Sequence, residues 1–297
     1  MRVTFATTFR NGIAAINRAA EALVARQREV SSGRRVHAAS DDPTAAPAIL
    51  AERAELRALD QYVRATDSVE SRLSVVDSTL THVIETLTAA QTTVAAASNS
   101  GLTPQQRQAF SLELRSLRDT VLADLNTRYQ GQYIFSGART ATAPYAEVAG
   151  AVQAYAGDTT EVAVDIDRGR AAVVTFDGDS LVRGGDAEGL FEVFDALAQA
   201  AASGDLAGLG QGMAALERAF DRFTAAQSRI GAGLSGLEDH RQRLDDMARA
   251  SDARRASLED ANLVEAIVGM QQADAAHQAA VGAVSQTTRL SLFDFLR

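Results

Sequence analysis

Four histidines, two Asp-x-Asp pairs and one glycine-rich run are where this chain offers the ingredients of chemistry. The histidines are His37, His82, His240 and His277. None has the i, i+4 partner with an adjacent glutamate that sets two imidazoles of one helix on a zinc ion. Each is expected at the surface or in a helix seam. Asp165-x-Asp167 and Asp177-Gly178-Asp179 have the carboxylate density of a calcium loop. Neither extends into the EF-hand pattern, and turn chemistry explains both. Gly208-Leu209-Gly210-Gln211-Gly212 has the glycine spacing of a phosphate loop, but no lysine follows and no strand precedes it. It is expected to be a flexible connection between helices. The absence of Cys excludes a thiol nucleophile, a disulfide and a thiolate metal site. No Gly-x-Ser-x-Gly elbow is present. The expectation is a chain with no catalytic residues, no metal and no cofactor, and therefore not an enzyme.

The elements around these residues read as long helices. The chain has 297 residues, 46% of them hydrophobic and only 5% aromatic, with no Trp. That supports a sizeable core, built of thin, Ala-rich helix contacts. Four prolines, at positions 43, 47, 104 and 144, leave room for very long helices between them. All 29 cationic side chains are Arg, a compositional bias without functional weight. A net charge of −9 argues against a nucleic-acid binder. No stretch reaches the roughly 18 apolar residues of a membrane span. Residues 1–10 lack the charged and apolar regions of a signal peptide, so export by the ordinary signal-peptide route is not expected.

Ile13, Ile16, Ala20, Leu23 and Val30 follow a heptad spacing, broken at Gln27 and ending at Ser31-Ser32-Gly33. The next helix is predicted to start with Asp42 as N-cap and Pro43 at N1. Steps of 3 and 4 continue from Leu59 through Leu73, Leu80 and Leu87 to Val94, with a stop predicted near Asn99-Ser100-Gly101. Thr103-Pro104-Gln105-Gln106 fits a capping box. The period then changes. Residues 129–137 look extended, and Val162, Val164 and Ile166 alternate with smaller or polar residues ahead of an Arg168-Gly169 turn. Two to four strands are predicted over 139–187, with Asp177-Gly178-Asp179 as a further turn. Helical stripes return at 188–202 and from Leu209 to Leu244, where Gly231, Gly233 and Gly236 call for a bend or close packing. The last segment carries Leu263, Ile267, Met270, His277, Val281 and Val284 and closes on Leu290-Ser291-Leu292-Phe293.

The predicted fold class is mainly α: a long antiparallel helical rod or coiled-coil bundle formed by both chain ends, with a small β-rich insert. The expected domains are a terminal helical assembly domain (1–42 with 255–297), a helical rod (43–138 with 188–254) and a small β-rich outer domain (139–187). Residues 1–40 hold seven Arg and two Glu, and residues 258–297 two Arg and five acids, charges of +5 and −3. These signs favour pairing of the ends, although exposed pairs are individually weak. The central heptads fit bundle core and intermolecular packing equally. The terminal strips favour intermolecular burial, with Ile13, Ile16, Leu23, Val30, Leu263, Ile267, Val281, Val284, Leu292 and Phe293 as the interface.

Three segments carry a family likeness. Val30 to Pro43, VSSGRRVHAASDDP, resembles the N-terminal signature of the flagellin family, a Ser32-Gly33-basic-hydrophobic turn followed by Asp41-Asp42. The Pro43 after the acidic pair resembles the hook-associated, hook–filament junction branch more than filament flagellin. Residues 128–145, RYQGQYIFSGARTATAPY, and the C-terminus with its Ser291-Leu292-Phe293 are similar to the same branch. Arg34 in place of the usual Lys and the extra Arg297 are minor departures. The resemblance implies an extracellular structural subunit of the bacterial flagellum, exported through the flagellar type III channel without a cleaved signal. It implies as partners its own ring or tube neighbours, a second hook-associated junction protein on the hook side, flagellin on the filament side and a cytosolic export chaperone at the C-terminal helix. It also implies terminal helices that fold on assembly. A short filament flagellin and a coiled-coil scaffold module are the rival readings.

Overall fold

The computed structural model describes residues 5–295, with side chains at residue 7 and from residue 9 to residue 286. The fold is mainly α, as predicted. The described residues form seven helices and three two-stranded antiparallel hairpins. They pack as two compact units: residues 1–58 with 247–297, and residues 59–246.

The first unit contains α1 (Phe5–Ser32), α7 (Leu263–Phe295), the start of α2 (Ala46–Ala97) and the end of α6 (Leu206–Glu259). α1 stops where predicted. Gly33 follows at φ +69°, and its N–H donates to Glu29 O at 2.9 Å, a left-handed C-terminal stop. The start of α2 needs a correction. Asp42 does cap: its Oδ1 accepts from Thr44 N–H at 3.2 Å and Ala45 N–H at 3.0 Å. The regular helix nonetheless begins at Ala46. Pro47 has no N–H to return to Pro43 O, so the first capped turn does not continue as an unbroken ladder.

The second unit holds the main core. Val69, Leu73, Val76, Leu80, Val83, Leu87, Ala90 and Val94 of α2 are all buried, along the predicted 3–4 stripe. Leu209, Leu216, Phe223, Ile230, Leu237 and Leu244 of α6 are buried at seven-residue steps. Intrachain packing therefore takes the central heptads. The polar breaks in the α6 stripe find partners on α2: Gln227 Nε2 donates to Thr81 Oγ1 at 2.8 Å, and Arg241 pairs with Asp67 at 3.2 Å. α3 (Pro104–Leu125) starts at the predicted capping box, with Thr103 Oγ1 accepting from Gln106 N–H and Gln106 Oε1 accepting from Thr103 N–H. It packs on α5 (Leu190–Ser203), whose Leu190, Phe191, Phe194 and Leu197 are buried.

Residues 208–212 lie inside α6, which overturns the loop expected there. The connection is instead Gly204, at φ +76° past the end of α5. Gly212 is where α6 meets α5 closely: a Cβ there would sit 2.3 Å from Leu197 Cδ2.

The β insert is three hairpins, β1 (Arg128–Tyr129) with β2 (Gln132–Tyr133), β3 (Glu147–Val148) with β4 (Ala151–Val152), and β5 (Ala163–Asp167) with β6 (Arg170–Val173). Four of the six strands lie within 139–187, in line with the two to four predicted there, and β1 and β2 fall at the stretch expected to be extended. Gln130-Gly131 and Ala149-Gly150 have positive φ at both turn residues, the backbone that a two-residue hairpin favours. Asp177 is not a plain turn residue. It caps α4 (Gly178–Val182), its Oδ1 accepting from Asp179 N–H at 2.9 Å. His240 is the seam residue expected of it: buried, with Nε2 at 3.0 Å from Ile166 O of β5.

Candidate functional site

The candidate site is the pair of terminal helices α1 and α7 together with the turn that ties the two ends of the chain. α1 and α7 run antiparallel in the first unit. A Cβ built on Gly12 would lie 2.8 Å from Val284 Cγ2, and one on Gly269 would lie 3.5 Å from Arg26. On α1, Ile16, Leu23 and Val30 are half-buried at seven-residue steps. On α7, Ala266 is buried and Met270, Ala273, His277, Ala280 and Val284 are half-buried, at steps of 4 and 3. Each helix thus turns one seam to the other. Substituting Gly12→Leu is expected to force this pair apart. Overpacking of this kind costs about 2 kcal/mol, and it will be read as faster proteolysis of both termini in the purified chain.

The two helices cover only that seam. Ile13 is 41% exposed, Val24 51%, Leu263 52%, Val264 73% and Val281 43%. Phe9, Ile267 and Val268 are exposed as well. The heptad residues named from the sequence therefore divide. Ile16, Leu23, Val30 and Val284 lie towards the α1–α7 seam, while Ile13, Leu263, Ile267 and Val281 lie on the open side. The side chains of Leu292 and Phe293 lie outside the described residues. Exposed apolar residues thus recur along the open side of each helix.

The loop from Gly33 to Ala45 positions the pair. It is stitched to the α6–α7 connection by backbone bonds: Arg35 N–H donates to Glu259 O at 2.8 Å and Ala261 N–H to Gly33 O at 2.9 Å. Arg34 and Asp260 form an antiparallel bridge. Ser32 Oγ donates to Arg28 O at 2.7 Å and also lies 2.7 Å from His37 Nε2. Asp41 Oδ2 accepts from the N–H groups of His37 and Ala38, at 3.0 and 2.9 Å, which holds its carboxyl below the usual range. Asp42 is lowered further, to about 2, by the Thr44 hydroxyl, the Ala45 N–H and the Arg35 guanidinium. Pro43 occupies the first position after that cap. Ser32, Gly33, Asp41 and Asp42 thus each hold part of this loop.

The centre of the turn is a residue the sequence reading did not single out. Glu259, with a side chain 0% exposed, meets Arg34 at 2.9 Å, Arg255 at 3.2 Å and Arg53 at 2.5 Å. Burial pushes its carboxyl up, but the hydrogen bonds and charges of the arginines outweigh that and hold it below the ordinary value. Nearby, Glu52 of α2 accepts from Ser251 and from Arg254 Nε, the latter at 2.8 Å. The expected charge attraction between the ends is therefore concentrated: Arg34 of the basic end and Glu259 of the acidic end are joined inside the turn. The i, i+4 spacing of Arg255 and Glu259 was the one local signal for it.

Among the described residues, no group of three or more His, Cys, Asp or Glu could hold a metal ion, and no helix is long and apolar enough to cross a membrane.

Comparison with known proteins agrees with this geometry. Flagellar hook-associated protein 3 of Escherichia coli is 29% identical over 155 residues, 52% of this chain and 48% of that protein. The match thus spans about half the length of this curated relative. A putative flagellar hook-associated protein from Vibrio parahaemolyticus shares the fold, with a TM-score of 0.70 at 23% identity over 74% of this chain and all of that one. The flagellar junction protein FlgL from Legionella pneumophila does too, with a TM-score of 0.61 at 15% identity over 72% of this chain and all of that one. Residues 9–140, which include the Ser32–Pro43 turn, match the model of the bacterial flagellin N-terminal helical region.

Proposed function

We propose that this chain is a structural subunit of the bacterial flagellum that joins hook to filament by helical packing of its terminal segments. The observation that carries the reading is the α1–α7 pair: two helices closed on one seam and apolar on the open side, from Phe9 to Val24 and from Leu263 to Val281. Such a pair gains by lying against the same pair in a neighbouring subunit. Burial contributes about 25 cal/mol per Å² of apolar surface, and head-to-tail contacts of one surface with another propagate into a ring or tube. The hook–filament position comes from the names of the relatives and from the Asp41-Asp42-Pro43 and Phe135-Ser136-Gly137 motifs. On this reading the partners are neighbouring copies, a second hook-associated protein on the hook side and flagellin on the filament side. The subunit reaches them through the flagellar type III channel, with an export chaperone on its C-terminal helix. The reading involves no catalytic step and no cofactor.

Deleting the gene is expected to leave hooks without filaments and to release flagellin into the medium. Normal filaments in a strain with no second copy would reject the proposal. Removing residues 285–297 is expected to abolish incorporation into flagella while the second unit keeps its circular dichroism. A truncated subunit that still incorporates would reject the role given to α7. The alternative of a short filament flagellin predicts long filaments grown from seeds by this chain alone.

A further inference from the structure

A cleft of about 370 Å³ in the second unit is not used by the assembly reading. Leu73 of α2, Ile166 of β5, Phe176, and Ala226, Ile230 and Leu237 of α6 form its apolar walls. Protein interiors leave few voids larger than a water molecule, whereas an opening of this volume is typical of small-molecule sites. The glycines of α6 bear on it. A Cβ on Gly231 or Gly236 would meet nothing within 4 Å, and one on Gly233 would reach only Leu73 Cδ1, at 3.8 Å. Close helix packing therefore does not account for glycines that weaken a helix interior. Gly233 lines the cleft, and its missing side chain keeps that wall open.

The charged lining is unbalanced. Arg170 and Arg229 both border the cleft, and among the described residues neither guanidinium has a hydrogen-bond or ion-pair partner. Asp177 is already engaged as the cap of α4, which leaves Glu161 as the one uncommitted carboxylate of the lining. Two free guanidinium forks above apolar walls complement a ligand with a hydrocarbon body and an anionic head. We propose that this cleft binds a small anionic amphiphile, a medium-chain carboxylate, with its chain against Leu73, Ile230 and Leu237 and its head on Arg170 and Arg229. The site shares no residue with the terminal helices, so its test and that of the assembly reading are separate.

The test is calorimetric titration of the full chain with sodium decanoate below its micellar concentration, with decanol as the neutral counterpart. One saturable site is expected for decanoate. Decanol should bind about tenfold more weakly, as loss of a charged hydrogen-bonded contact implies. Arg229→Glu should weaken decanoate by about tenfold or more on the same grounds, and Gly233→Leu should abolish binding by filling the wall. Arg170 and Arg229 are exposed, so Arg170→Glu and Arg229→Glu decide the matter if Gly233→Leu fails to fold. No decanoate binding, or binding that survives the arginine substitutions, overturns the site; the latter is also what uptake by the apolar faces of α1 and α7 would give. Equal affinity for decanol overturns the anionic assignment.

Discussion

Replacing Glu259 with Gln is expected to unlock the turn that joins the two ends of the chain. The carboxylate is fully buried and faces Arg34, Arg53 and Arg255. Removing one member of a buried ion pair usually costs 3–5 kcal/mol, because the partner is left uncompensated. Here Arg34 and Arg53 are 50% and 39% exposed and can turn into water, so the lower end, about 3 kcal/mol, applies. The affected bonds are specific: Arg35 and Val36 N–H to Glu259 O, and Ala261 N–H to Gly33 O. Hydrogen exchange at these amides should accelerate by about a hundredfold, while amides of the α2 and α6 core in the second unit stay protected. The pH dependence supplies an internal control. Glu259, Asp41 and Asp42 all titrate below their ordinary values in the folded chain. A lowered carboxyl contributes stability that is complete above its unfolded pKa and is lost as pH falls through the folded value. The parent turn should therefore loosen on acidification through the carboxylate range, towards pH 2 for the Asp42 share. In Glu259→Gln the loosening is already present at neutral pH, and the remaining acid dependence is smaller. Unchanged exchange at Arg35 and Ala261 in the variant would remove Glu259 from the centre of the turn.

What could be read from the sequence was local or periodic. The Thr103 capping box, the Gly33 stop and the stripes of α2 and α6 depend on neighbours within a few residues, and each stands where predicted. The departures have physical causes beyond that range. Asp42 has its capping bonds, but Pro47 interrupts the ladder, so the regular helix starts at Ala46. Gly208 to Gly212 reads as a loop until α5 is placed beside it; Gly212 serves the approach of Leu197. Asp177 shows how one signal serves two ends, since the same side-chain bond to a following N–H makes a turn or caps a short helix. Glu259 was missed because full burial of a carboxylate is a tertiary property. Its local surroundings show only an i, i+4 pair with Arg255 at a helix end, a common surface pattern. The division of the terminal heptads into a closed seam and an open face was equally out of reach. Periodicity identifies an apolar stripe, and only packing decides which of its residues the partner helix takes.

Gly137→Ala is expected to produce the largest loss of stability in the second unit. Gly137 ends the Ile134-Phe135-Ser136 strap, whose three residues are each 0% exposed. The strap is paired on both sides: Phe176 N–H donates to Ile134 O, Gly178 N–H to Phe135 O and Asp158 N–H to Ser136 O, at 3.0, 3.1 and 3.1 Å. Gly137 closes it at φ +58°, and a Cβ there would lie 1.8 Å from the carbonyl oxygen of Asp158. Two penalties therefore act together. The left-handed backbone costs an L-residue about 1 kcal/mol. The overlap is with main-chain atoms, so it cannot be relieved by a side-chain rotation. Relief requires moving residue 158, which breaks its N–H bond to Ser136 O and withdraws Asp158 O from the Tyr155 hydroxyl, whose one proton it shares with Phe135 O at 3.2 and 3.0 Å. Buried hydrogen bonds contribute about 1 kcal/mol each, so the combined loss is about 3 kcal/mol, at the top of the ordinary range for a single substitution. Gly131→Ala is the matched control. Its φ is more positive, +81°, but nothing lies within 4 Å of the added Cβ, so it carries the backbone penalty alone. Denaturant unfolding of both variants separates the contributions. The two should differ by about 2 kcal/mol, and equal losses would mean that the strap can shift to make room and that its buried pairing is not what fixes the insert on the helices.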